Sequence, residues 1–68
     1  MDKTQLKAAA AYAGKTFSDV AEGLGVSRQA FTQKAGRGSW TTKDLEQIAE
    51  IIGAEYKSVF VFPDGKEI

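Results

Sequence analysis

The densest hydrogen-bonding chemistry in the chain lies between Val26 and Lys43. That stretch holds four basic side chains, Arg28, Lys34, Arg37 and Lys43, and no acid, interleaved with Gln29, Thr32 and Gln33. A guanidinium can donate two parallel hydrogen bonds to O6 and N7 of guanine, and a glutamine amide can pair in the same bidentate way with N6 and N7 of adenine. Basic side chains without acidic neighbours also neutralise phosphate. Gln29 and Gln33 stand four apart, hence on one face of a helix; taken alone, the pair would equally suit a solvated polar face.

Catalytic chemistry has little to work with. The 68 residues include no histidine and no cysteine, which removes the commonest general base, the thiolate nucleophile and the thiolate metal site. The serines have no histidine to activate them. Asp19 with Glu22, and Glu46 with Glu50, read as carboxylates on polar helix surfaces rather than a pair in a cleft. Gly36 to Ser39 lacks the spacing and the lysine of a phosphate-binding P-loop. The reading is a non-enzyme without cofactor, metal or small-molecule ligand. No run of about 18 apolar residues occurs, and Met1 to Ala13 has no apolar leader core, so a soluble cytoplasmic protein is expected.

Net charge is zero, with nine basic and nine acidic groups, yet the charge is unevenly spread. Residues 1–40 carry six basic groups against three acidic, and residues 41–68 the reverse. One face can therefore be positive on a neutral molecule.

Helical elements must position these groups. Leu6, Ala9, Ala10 and Ala13 fall on one face of a first helix, opened by Asp2 with Gln5 and stopped by Gly14. Thr16 with Asp19 caps a second, carrying Phe17, Val20, Ala21 and Leu24 and closed by Gly25. Val26 supplies an apolar anchor and Ser27 an N-cap for a third helix, whose inward residues are Ala30, Phe31 and Ala35. A connection of about three residues sets helices two and three at a steep angle, the helix-turn-helix geometry. Gly36 to Ser39 reads as a flexible basic loop. Thr41 with Asp44 then caps a fourth helix striped by Leu45, Ile48, Ala49 and Ile52 and ended by Gly53. The expected fold is mainly α, a single domain over residues 1–68, with helices at about 3–13, 17–24, 28–35 and 42–52.

The tail changes period. Val59, Phe60, Val61 and Phe62 predict a strand at about 58–62, and Pro63-Asp64-Gly65 a type I turn with a glycine bulge leading to a returning segment at Lys66 to Ile68. Both faces of this strand are apolar, so it should pack on the helices with one and on a second chain with the other, making Val59, Phe60, Val61 and Phe62 the expected dimer contacts. Phe17 and Trp40 read as core aromatics, Trp40 in preference to a base-stacking platform. Tyr56 joins the tail aromatics as a core or dimer residue.

From Gly14 to Ala54 the chain resembles the lambda-repressor-like (Cro/repressor) helix-turn-helix family, as found in short prophage-type regulators. The resemblance is carried by Thr16, Val20-Ala21, Leu24-Gly25-Val26-Ser27-Arg28-Gln29, and Leu45 with Ile48-Ala49 and Ile52-Gly53. It implies a homodimeric transcriptional regulator, a repressor, whose third helix enters the major groove of double-stranded DNA. Carried over by position, Arg28, Gln29, Thr32 and Gln33 would read bases, and Thr16, Ser27, Lys34, Arg37 and Ser39 would touch phosphates. Two positions differ from the family pattern: Phe17 stands where glutamine opens helix two, and Gly36 where asparagine follows helix three. Backbone amides around Gly36 and Gly38 can replace the second contact, since successive N–H groups form an anion-binding concavity. The competing reading is a helix-turn-helix protein-interaction module, antirepressor-like or antitoxin-like, with little or no DNA affinity; neutral charge and Phe17 favour it.

Overall fold

The computed structural model describes residues 2–38 and 40–68. Four helices, α1 (Lys3–Tyr12), α2 (Phe17–Leu24), α3 (Arg28–Arg37) and α4 (Thr42–Ile51), precede two short strands, β1 (Glu55–Tyr56) and β2 (Phe60–Val61). The strands pair antiparallel, Glu55 opposite Val61 and Tyr56 opposite Phe60, and Val61 also bridges to Glu67. The returning segment is fixed by reciprocal backbone bonds between Phe60 and Ile68, at 2.8 and 2.9 Å.

Each helix start follows from its cap. Asp2 accepts from the Thr4 N–H, and Ser27 from the Ala30 N–H. Thr16/Asp19 and Thr41/Asp44 form reciprocal boxes, in which the hydroxyl takes the N–H of the acid and the carboxylate takes the N–H of the threonine. At the end of α2, Gly25 adopts φ +75°, its N–H bonds Glu22 O and the Val26 N–H bonds Ala21 O. That double closure needs a left-handed residue, and it turns the chain into α3 within Gly25-Val26-Ser27. Gly14 and Gly53 close α1 and α4 by the same pair of bonds.

The core takes Leu6, Ala9 and Ala10 from α1, Val20 and Ala21 from α2, Phe31 and Ala35 from α3, and Leu45, Ile48 and Ala49 from α4, completed by Ile52, Phe60 and Phe62. The small α1 alanines let α1 lie close across α2 and α3, and α2 packs between α3 and α4. Gly23 makes the last contact possible: a Cβ there would stand 2.9 Å from Ile51 Cδ1.

Several expectations are corrected. α3 runs on to Arg37, so Gly36 and Arg37 are helical and not loop; Gly38, at φ +65°, is the cap. Gly36 lies within α3 and the Gly38 N–H is bonded to the Lys34 and Ala35 carbonyls, so among the described residues these amides are not free to form the expected anion-binding concavity. Ala30 and Val26 are exposed, because Phe31 and Ala35, four apart, already define the buried line of α3. β1 goes beyond the sequence pattern and arises from pairing with Phe60–Val61. The strand at 58–62 shrinks to Phe60–Val61, since Ser58 takes a left-handed φ of 69° and interrupts extended backbone. Phe60 and Phe62 are 0% and 6% exposed within this single chain, so they cannot serve as dimer contacts while it stays folded. Alternation leaves Val59 and Val61 as the half-buried outer members of that run.

Candidate nucleic-acid interface

α3 has two faces of opposite character. Inside, Phe31 stacks edge-on to Phe17 with ring centroids 5.0 Å apart, and tilts against Trp40 at 5.2 Å. Those contacts hold the helix in place, and they settle Phe17 and Trp40 as partly buried packing residues. Outside, Arg28, Gln29, Thr32 and Gln33 line one shallow concavity. Arg28, Gln29 and Gln33 are exposed and Thr32 is half-buried. None of the four side chains has a hydrogen-bond or ion-pair partner among the described residues, so their donors and acceptors stay free for an external edge.

The expected phosphate contacts fare unequally. Thr16 and Ser27 sit at the N-termini of α2 and α3, each hydroxyl accepting one backbone N–H, at 3.2 and 3.1 Å, and keeping its own proton to donate. The Asp19 carboxylate accepts from the Thr16 N–H at 2.9 Å, which holds its carboxyl below the usual range, and it fills the start of α2 with negative charge. Lys34 leans away from the outer face: its ammonium lies 3.0 Å from Asp44 Oδ2 and 5.3 Å from the Trp40 ring centre. The Thr41 N–H, and then Lys34, keep Asp44 ionised. An exposed pair of this kind is worth about 0–1 kcal/mol, so phosphate can compete for Lys34. Arg37 is exposed at the end of α3. Ser39 lies outside the described residues.

Three cations that sequence reasoning did not assign also stand beside this face. Lys3 and Lys7 on α1 and Lys15 before α2 line a groove together with Arg28, Thr16 and Thr32. The available signal was the i, i+4 spacing of Lys3 and Lys7 and the charge excess of the first 40 residues.

On the opposite side of α3, a slot of about 150 Å³ opens between Val26, Phe31, Trp40 and Gln47. Val26 is 46% exposed at its mouth. The Trp40 indole N–H is buried with no acceptor among the described residues. No cluster of three or more metal-ligating side chains occurs among the described residues, and no helix among them is long and apolar enough to cross a membrane. Set against protein-family models, curated proteins and solved structures, the chain has no match.

Proposed function

We propose that this protein binds double-stranded DNA sequence-specifically, reading the major groove with α3, and that it acts as a transcriptional repressor. The observation that carries the reading is the set Arg28, Gln29, Thr32 and Gln33, presented together and unpaired on a helix anchored from behind by Phe31. A helix fits a major groove about 12 Å wide, and each good bidentate side-chain–base pair discriminates by about 1–3 kcal/mol. Ser27 and Thr16 hydroxyls and Arg37 would hold the backbone without reading sequence.

A second copy completes the reading unit, two α3 helices meeting half-sites roughly 34–36 Å apart. Val59 and Val61 supply the apolar surface for that contact. The test is a pair of substitutions: Gln33→Ala should relax preference at one base pair, while Arg37→Ala should weaken every sequence alike and flatten the salt dependence. Equal losses on all sequences from both changes would defeat the assignment.

Exposed Val26 beside the Trp40 slot favours a second reading, a helix-turn-helix module that binds protein in antirepressor or antitoxin fashion. Under it, Val26→Asp abolishes partner binding, and substitutions at Gln29 or Gln33 change nothing.

A further inference from the structure

Lys3, Lys7 and Lys15, which bound a groove together with Arg28, have no role in the contacts assigned above. Among the described residues the groove lining holds four cations and no carboxylate. Lys3, Lys7 and Lys15 have no ion-pair partner among the described residues, whereas Lys34 is paired to Asp44 and Lys57 to Glu55. Two acids flank the lysines in the chain, and both carboxylates are taken up by helix caps: Asp2 accepts from the Thr4 N–H, and Asp19 from the Thr16 N–H, with Lys15 helping to keep Asp19 ionised. The groove is also continuous with the outer face of α3, because Arg28 and Thr32 line both. Its floor is apolar, formed by Phe17 and by Ala10 and Ala11 of α1.

We propose that this groove is a phosphodiester track: Lys3, Lys7 and Lys15 hold the sugar–phosphate backbone flanking the groove that α3 enters, an inference resting on the DNA reading of α3. The apolar floor suits a deoxyribose face, and the ammonium groups around it suit successive phosphates. The track gives a molecule of zero net charge its means of gripping a polyanion, since affinity depends on local neutralisation and not on the total. It also gives Phe17 a double duty, packing on Phe31 within and flooring the track without.

The magnitude follows from counterion release. Each phosphate neutralised contributes about −0.9 to the slope of log K against log salt, so three lysines contribute about −2.7. Between about 50 and 200 mM salt that share alone lowers affinity about 40-fold.

The test compares the unsubstituted chain with the triple variant K3Q/K7Q/K15Q on mixed-sequence duplexes of about two helical turns and on any preferred site, by anisotropy across that salt range. Glutamine keeps the helix propensity of lysine, and far-ultraviolet dichroism with Trp40 fluorescence checks the fold. The expected result is a slope shallower by about 2.7 with the ranking of sequences retained. An unchanged slope, with sequences still discriminated, overturns the track and leaves the α3 reading standing. Loss of sequence ranking at unchanged slope overturns it too, by making these lysines base readers. Absence of duplex binding by the unsubstituted chain at about 50 mM salt overturns both. If the triple variant does not fold, K3Q, K7Q and K15Q singly decide, each expected to make the slope shallower by about 0.9.

Discussion

Two glycines in helices should answer the same substitution differently, one with a gain and the other with none or a loss. Glycine inside a helix is less favourable than alanine by about 0.8–1.0 kcal/mol, so Gly→Ala gains that amount wherever the new methyl has room. At Gly36, within α3, an added Cβ meets nothing within 4 Å, and the whole gain should appear. At Gly23, within α2, the Cβ would lie 2.9 Å from Ile51 Cδ1, 3.1 Å from Cγ1 and 3.2 Å from Cγ2. Moving Cδ1 relieves only the first contact. Cγ1 and Cγ2 both branch from Cβ, and a β-branched side chain in a helix strongly prefers one χ1 rotamer, so α2 and α4 must separate. Overpacking of this kind costs about 1–3 kcal/mol, which outweighs or cancels the propensity gain. For a chain of this size 1 kcal/mol moves Tm by about 4–8 °C. Thermal melts followed by dichroism should therefore show Gly36→Ala raised by about 4–8 °C and Gly23→Ala level or lowered by up to about twice that. A comparable rise in both variants would refute the close α2–α4 packing on which the placement of α3 depends.

Other outcomes are equally specific. Phe31→Ala removes a 1%-exposed ring that joins Phe17 to Trp40 and should cost about 3–5 kcal/mol, out of about 3–10 kcal/mol available to a chain this long; urea melts read on Trp40 fluorescence would contradict this if the loss were under about 1 kcal/mol. Asp19, Asp44 and Asp64 all have folded pKa values below the ordinary 3.8, held there chiefly by the Thr16 and Thr41 N–H groups and the Tyr12 hydroxyl respectively. Their contribution is complete above the unfolded value and is lost as pH falls through the lower folded values, so the urea midpoint should drop on acidification below about pH 4, and by less in Asp44→Asn. Tyr12→Phe should return the Asp64 titration, followed by NMR, toward the ordinary carboxylate range. Val61→Lys should keep the monomer fold and shift sedimentation toward single chains, whereas unfolding would mean that Val61 belongs to the core.

What was legible in the sequence was local. Asp2, Thr16, Ser27 and Thr41 announce helix starts because each is a short side chain answering a backbone N–H two or three residues on. Gly14, Gly25 and Gly53 announce ends because the left-handed turn suits them. The stripe Leu45, Ile48, Ala49 and Ile52 is buried throughout, since a helical period records which side meets the core. Gly36 misled because propensity marks glycine as a breaker, while burial of Ala35 and the cap at Gly38 carry the helix past it. Glu55–Tyr56 has no strand pattern of its own; only pairing with Phe60–Val61 makes it one. In Val59 to Phe62 the apolar content was plain, but not which member of each pair faces inward, because that is set by register against a partner.

The face of α3 was legible for the same local reason, being a polar run directly after a three-residue turn. Its surroundings were not. Lys3, Lys7 and Lys15 reach Arg28 only because the alanine face of α1 packs closely across α2 and α3, a non-local contact that no window of sequence contains. Nor could sequence show that Lys34 spends its charge on Asp44, ten residues away on the next helix.

The central claim is that α3 reads DNA, and selection from a random labelled duplex library tests it most directly. Rounds of enrichment at about 50 mM salt, followed by anisotropy at about 50 and 200 mM, report sequence preference and charge contact together. The account predicts enrichment of a pseudo-palindrome with half-sites about one helical turn apart and steeply salt-dependent affinity. Failure to retain any duplex at the lower salt would contradict it and turn attention to a protein partner at Val26.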